Sequence, residues 1–123
     1  MRTLLIFLAA VGGLATQEVT WGGEHVEIKV TSRGAIVEFD CAHGTIDERL
    51  AADAQDAFTL KGTFTPQSHG PTRDDAPAAA KATYSGTIKK DRMTLHLTIE
   101  GEEGPGREFT LTRDRSGTLY KCR

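Results

Sequence analysis

The chain has little of what most chemistries require. Among its 123 residues stand only two cysteines, one tryptophan, two tyrosines and four prolines. The two cysteines, Cys41 and Cys122, are too far apart for the paired spacing of a structural zinc site. No GxSxG elbow, HExxH helix motif, P-loop or strand-borne GxGxxG occurs, so no established catalytic signature is present. No excess of positive charge exists either. Fifteen basic residues face seventeen acidic ones, a formal charge of -2. That balance, with few aromatics, excludes a protein whose main task is nucleic-acid binding. The length allows one domain and no separate cofactor half.

Long apolar runs are also missing, with one short exception. Leu4 to Leu14 follows Arg2 and ends in Gly13 and Ala15, a small-x-small cleavage pattern. At about 11 residues the run is well short of the roughly 20 that span a bilayer. It reads as a secretory signal peptide over residues 1–15, leaving a single domain over residues 16–123. Thr16 stands where a lipoprotein would carry cysteine. The expectation is a periplasmic or extracellular protein without a membrane anchor in its mature chain. In that compartment two cysteines of a small domain pair, so a Cys41–Cys122 disulfide is expected. Closing a loop of about 80 residues, it would contribute roughly 4 to 5 kcal/mol in chain-entropy terms.

What is present is alternation. Val26, Ile28 and Val30 share one face of a strand from His25 to Thr31. Ala35, Val37, Phe39 and Cys41 do the same, and His43-Gly44 then breaks the pattern. Phe58, Leu60, Gly62 and Phe64 follow. Ala80, Ala82, Tyr84, Gly86 and Ile88 come next, then Met93, Leu95, Leu97 and Ile99. Arg107 to Arg113 carries Phe109 and Leu111 inward, and Thr118 to Cys122 closes the chain. Period-two patterning of this kind predicts half-buried strands. Residues 45–54 stay open between strand and helix, since Thr45 and Glu48 form a possible capping box. The fold class is all-β: an antiparallel meander of seven or eight strands, closed as a small lipocalin-like barrel or folded as a sandwich. Such a barrel is filled by side chains or holds one small ligand.

Candidate binding residues are Trp21, His25, His43, His69 and Tyr84. Trp21, beside Gly22 and Gly23, either plugs a barrel end or anchors a partner. His69 lies in the longest polar loop, Pro66 to Pro77. Asp40, His43 and His25 are the nearest approach to a metal set, with His69 and His96 further off. Four unrelated surface imidazoles account for the histidines equally well, so no metal and no cofactor is expected. The segments Trp21-Gly22-Gly23-Glu24-His25 and Glu38-Phe39-Asp40-Cys41-Ala42-His43-Gly44 resemble a group of short exported bacterial proteins without assigned function. Tyr84-Ser85-Gly86 and Lys121-Cys122 extend the resemblance. It implies export, the disulfide and an all-β fold, and no activity. In size and strand pattern the chain also resembles small periplasmic inhibitor barrels. The expected function is a non-catalytic binding module for an unknown protein or envelope component, working through loops at one barrel end. A carrier of a small apolar ligand and an inhibitor of an envelope-active hydrolase, such as a lysozyme or protease, are the alternatives.

Overall fold

The computed structural model describes residues 19–67 and 79–120. Within them the chain forms eight antiparallel strands and no helix. They are β1 (Val19–Gly23), β2 (Val26–Val30), β3 (Ala35–Phe39), β4 (Ala42–Ile46), β5 (Ala57–Pro66), β6 (Ala80–Lys89), β7 (Arg92–Ile99) and β8 (Arg107–Arg113). Each strand pairs with the next, and β8 returns to β1, so the meander closes as a barrel. The sandwich alternative is thereby removed. A closed barrel leaves few unpaired backbone groups, which lets a small β-domain avoid edge-to-edge aggregation.

The alternation is realised as burial. Val26 and Ile28, Val37, Met93, Leu95, Leu97 and Leu111 are fully buried. They join Trp21, Phe39, Phe58, Phe64 and Tyr84 in one apolar cluster inside the barrel. Tyr84 is its largest fully buried side chain, and glycines on two neighbouring strands make room for it. A Cβ on Gly44 would run into the Tyr84 hydroxyl, and one on Gly62 would press on its ring. The hydroxyl donates to the Thr63 carbonyl at 2.7 Å, so the buried polar group is satisfied. Burial, with the Asp47 carboxylate adding to it, holds this phenol protonated well above its ordinary range.

Three stretches differ from the sequence expectation. β1 replaces the expected plug-like Trp-Gly-Gly segment, and Trp21 points into the core as a strand residue. The β3–β4 hairpin turns at Asp40–Cys41, with Cys41 in left-handed backbone at φ 58°, and His43-Gly44 lies inside β4. Residues 45–54 are neither helix nor a full strand. β4 ends at Ile46, and 47–56 form a loop held by the Asp53 carboxylate. That carboxylate accepts the backbone N–H groups of Gln55 (2.8 Å) and Ala57 (3.0 Å), which pulls its pKa below the ordinary carboxylate value.

The chain after β8 is a strap, not a ninth strand or the expected closing strand from Thr118. Asp114 turns in left-handed backbone at φ 61° and donates its N–H to the Thr20 carbonyl. The segment then crosses the outside of β1 and β2. Gly22 lies directly under the backbone of Arg115 and Ser116, and Gly117 lies against Val26 and Glu27. A Cβ on either glycine would collide with backbone, so the crossing requires the missing side chains. The Gly117 N–H donates to Glu27 Oε2 at 2.9 Å. Thr118 then bridges Glu24, donating to the Gly23 carbonyl and accepting from the His25 N–H. The expected Cys41–Cys122 bridge has one end, Cys122, outside the described residues.

Candidate functional site

The meander brings to one end of the barrel the connections Glu24–His25, Asp40–Cys41 and residues 100–106, together with the end of β5 and the start of β6. The strap arrives at the same end, because Tyr120 donates its N–H to Asp40 Oδ1 at 2.8 Å. Inside this end sits an aromatic plug. Phe39 packs on Phe64 and on Phe109 with ring centroids 5.2 and 5.5 Å apart. Arg107 covers Phe64 at 4.9 Å, its guanidinium held by Glu102 at 2.8 Å. Of the two roles expected for Trp21, barrel plug or partner anchor, it takes neither, and this end is plugged by three phenylalanines and an arginine.

Outside the plug, side chains from three distant parts of the sequence meet. His25 occupies left-handed backbone at φ 72°, which turns its ring away from the core. Its Nδ1 is bonded to Asp40 Oδ2. Its ring also packs against that of Tyr120, with centroids 5.1 Å apart. Asp40 thus holds His25 with one oxygen and the Tyr120 backbone with the other. The carboxylate orients the imidazole and leaves Nε2 free of this pair. Tyr120 is 54% exposed and Leu119 36%, so apolar and aromatic surface lies beside the His25–Asp40 pair.

A groove of about 570 Å³ begins beside His25 and runs down the outside of the β1–β8 seam. Glu24, Glu108 and Arg115 supply its charge; Thr110, Thr112, Ser116 and Thr118 supply hydroxyls; and half-buried Phe109 adds apolar surface. A second groove, of about 640 Å³, lies on the opposite wall among Lys61, Lys81, Thr83 and Glu100. Both grooves are surface features, the first lined by β1, β8 and the strap and the second mainly by β5, β6 and β7.

The sequence candidates divide accordingly. His25 belongs to the site. Trp21 and Tyr84 do not, because they are 4% and 0% exposed and serve the core. His43 is exposed on the outer side of β4, between Glu38 and Thr65 in register. His69 lies outside the described residues. His96 sits on the outer side of β7 opposite Glu108. Among the described residues no group of three His, Cys, Asp or Glu side chains comes together as a metal site, and of the metal set only His25 and Asp40 make contact. Tyr120 was missed in the sequence. Its only local signal is an aromatic near the second cysteine, and its partners lie 80 and 95 positions earlier. No family model, no curated protein and no solved structure matches this chain.

Proposed function

We propose that the protein is an exported, non-catalytic binding module that engages another protein or an envelope component at the barrel end carrying His25, Asp40 and Tyr120. One observation carries this reading. The barrel interior is occupied by a continuous apolar cluster, while exposed ring, imidazole and carboxylate groups are held together at one end by bonds that do nothing for the core. Histidine and tyrosine in a fixed arrangement offer area and hydrogen bonding at low entropic cost. The packed core favours a surface site over a small apolar ligand carried inside. The Tyr120–Asp40 bond also supports the Cys41–Cys122 bridge, because it joins the neighbour of one cysteine to a residue two positions from the other. Inhibition of an envelope hydrolase is one form that such binding would take.

The test uses the wild-type protein and a His25→Ala/Tyr120→Ala double variant as baits in envelope extract of its own host. A partner captured by wild type should bind the double variant at least about tenfold more weakly when both are re-measured in purified form by calorimetry. Equal binding by the two baits overturns the reading. Native mass spectrometry of the protein from its host gives an independent check. A retained small molecule would move the assignment to the carrier alternative, and a mass short of two hydrogens would establish the bridge.

A further inference from the structure

The barrel is not closed along its whole height. β1 and β8 share only the pairs Trp21–Arg113, Gly22–Thr112 and Gly23–Leu111. Beyond Gly23 the chain turns into Glu24–His25, and Thr118 of the strap takes the place beside Glu24. β8 continues past this last pair, and its residues Arg107–Phe109 are paired with β7 alone. Among the described residues no strand pairs with this stretch on its β1 side. The Thr110 carbonyl lies against Gly23 and takes the Glu24 N–H, the bond that closes the Gly23–Leu111 pair, so β8 directs its even-numbered backbone groups to that side. Backbone groups alternate along an antiparallel strand, so the N–H and C=O of Glu108 point there too. The outcome is a notch about 10 Å long, over Arg107–Phe109, whose open backbone groups are the Glu108 N–H and C=O and the Thr110 N–H. The upper part of the 570 Å³ groove is this notch, with Phe109 inside it and Glu24 and Glu108 at its mouth.

We infer that the notch takes an extended peptide segment of the partner protein, which adds a strand to β8 and places lysine or arginine side chains against Glu24 and Glu108. The inference rests on the reading of this barrel end as a binding surface and names the kind of partner. Strand addition uses main-chain hydrogen bonds for affinity and alternate side chains for specificity. Here the outward neighbours are Glu108 and Thr110, and the inward one is Phe109. A matching peptide therefore alternates basic residues with apolar ones. A second copy of this chain fits poorly, since pairing two β8 edges brings Glu108 and Glu24 against their own counterparts. Arg115 at the lower end of the groove lies beside Thr112 and Ser116, below the unpaired stretch.

The probe is a synthetic seven-residue peptide, Thr-Lys-Val-Lys-Val-Lys-Thr with blocked ends. Controls carry Glu in place of Lys, or N-methyl groups on alternate backbone amides. NMR of the labelled protein reads the Glu108 and Thr110 amides. The lysine peptide should shift both and slow their hydrogen exchange at least about tenfold. The glutamate peptide should bind at least about tenfold more weakly, and N-methylation on the bonded edge should abolish binding. Glu108→Pro, which removes an edge N–H without touching the β7 ladder, should do the same in a protein with an unchanged melting curve.

Three results overturn the inference. The two amides are already as protected in the free protein as those of β5 and β6, or the methylated peptide binds as well as its parent, or the chain dimerises through β8 in the absence of peptide. If the edge fails while capture still depends on His25 and Tyr120, only the strand-addition inference falls. If the two baits capture alike, the reading of the barrel end falls.

Discussion

The β5–β6 hairpin and the β1–β8 seam are both antiparallel pairs of one barrel, and they are built by different means. β5 and β6 share eight residue pairs and meet around Tyr84, which fills the space left by Gly44 and Gly62. The seam has three pairs, and what finishes it is a strap with hydrogen bonds to Glu27, Gly23, His25 and Asp40. One wall is held by a ladder and a core. The other is held by single contacts between residues far apart in sequence. A contact set of the second kind opens at lower free energy than a long ladder. The exposed imidazole, the tyrosine and the unpaired strand edge all lie on the less strongly held side. Binding surfaces are commonly drawn from that end of the stability range, which agrees with the proposed binding end.

The largest effect should come from breaking the strong wall. Tyr84→Ala leaves a large cavity in the core and should cost about 3 to 5 kcal/mol in urea unfolding. Tyr84→Phe keeps the volume and loses the bond to Thr63, so about 1 kcal/mol is expected. It should also change the alkaline limb. The folded-state pKa of Tyr84 is raised, so its contribution is complete below the ordinary tyrosine value of about 10 and is lost as pH rises beyond it. Wild type should lose stability there more steeply than Tyr84→Phe.

Next in size is an attack on the seam. Gly22→Val drives a side chain into the backbone of Arg115 and Ser116 and should cost about 1 to 3 kcal/mol. Its distinguishing result is local. The Tyr120 amide should lose protection from hydrogen exchange, while the β5 and β6 amides keep theirs relative to global unfolding. Equal loss everywhere would show that the seam and the long wall open as one unit.

The smallest effect belongs to the opposite end of the barrel. Asp53→Ala removes the carboxylate that binds Gln55 and Ala57. The pKa of Asp53 is lowered in the folded state, so its contribution is present above the ordinary value of 3.8 and disappears as pH falls below it. Wild type and variant should differ slightly at neutral pH and converge in acid, as read from paired melting curves.

These contrasts also explain what could be read in the sequence. The strands of the strong wall were plain, because Phe58, Phe64, Tyr84, Met93, Leu95 and Leu97 alternate over long stretches. The all-β meander and the inward set followed from that pattern. The β3–β4 hairpin was misplaced because Cys41 continues the apolar alternation of β3 while its backbone turns. Gly44 looked like a turn residue, yet it is a strand residue whose missing side chain serves Tyr84. β1 was missed because two of its five residues are glycine, one of them there to let the strap pass. His25 was legible as a polar residue beside a strand. Its nearness to Asp40 was also read, as part of a possible metal set, but the packing of Tyr120 on the pair was not, since no local pattern reports a contact between residue 120 and residues 25 and 40.

The short seam also sets an order of events. Its partners, Trp21 and Arg113, lie at opposite ends of the described chain, so closure waits for almost all of it to be made. Until then β1 through β7 form an open sheet with two unpaired edges, and non-local pairing of this type is slow. The strap can form only afterwards, because Arg115, Ser116 and Gly117 cross strands that must already be in place. The strap is thus the last of the described segments to dock, and a chain truncated after Arg113 would have a barrel sheet but no latch at the end where His25 and Asp40 stand.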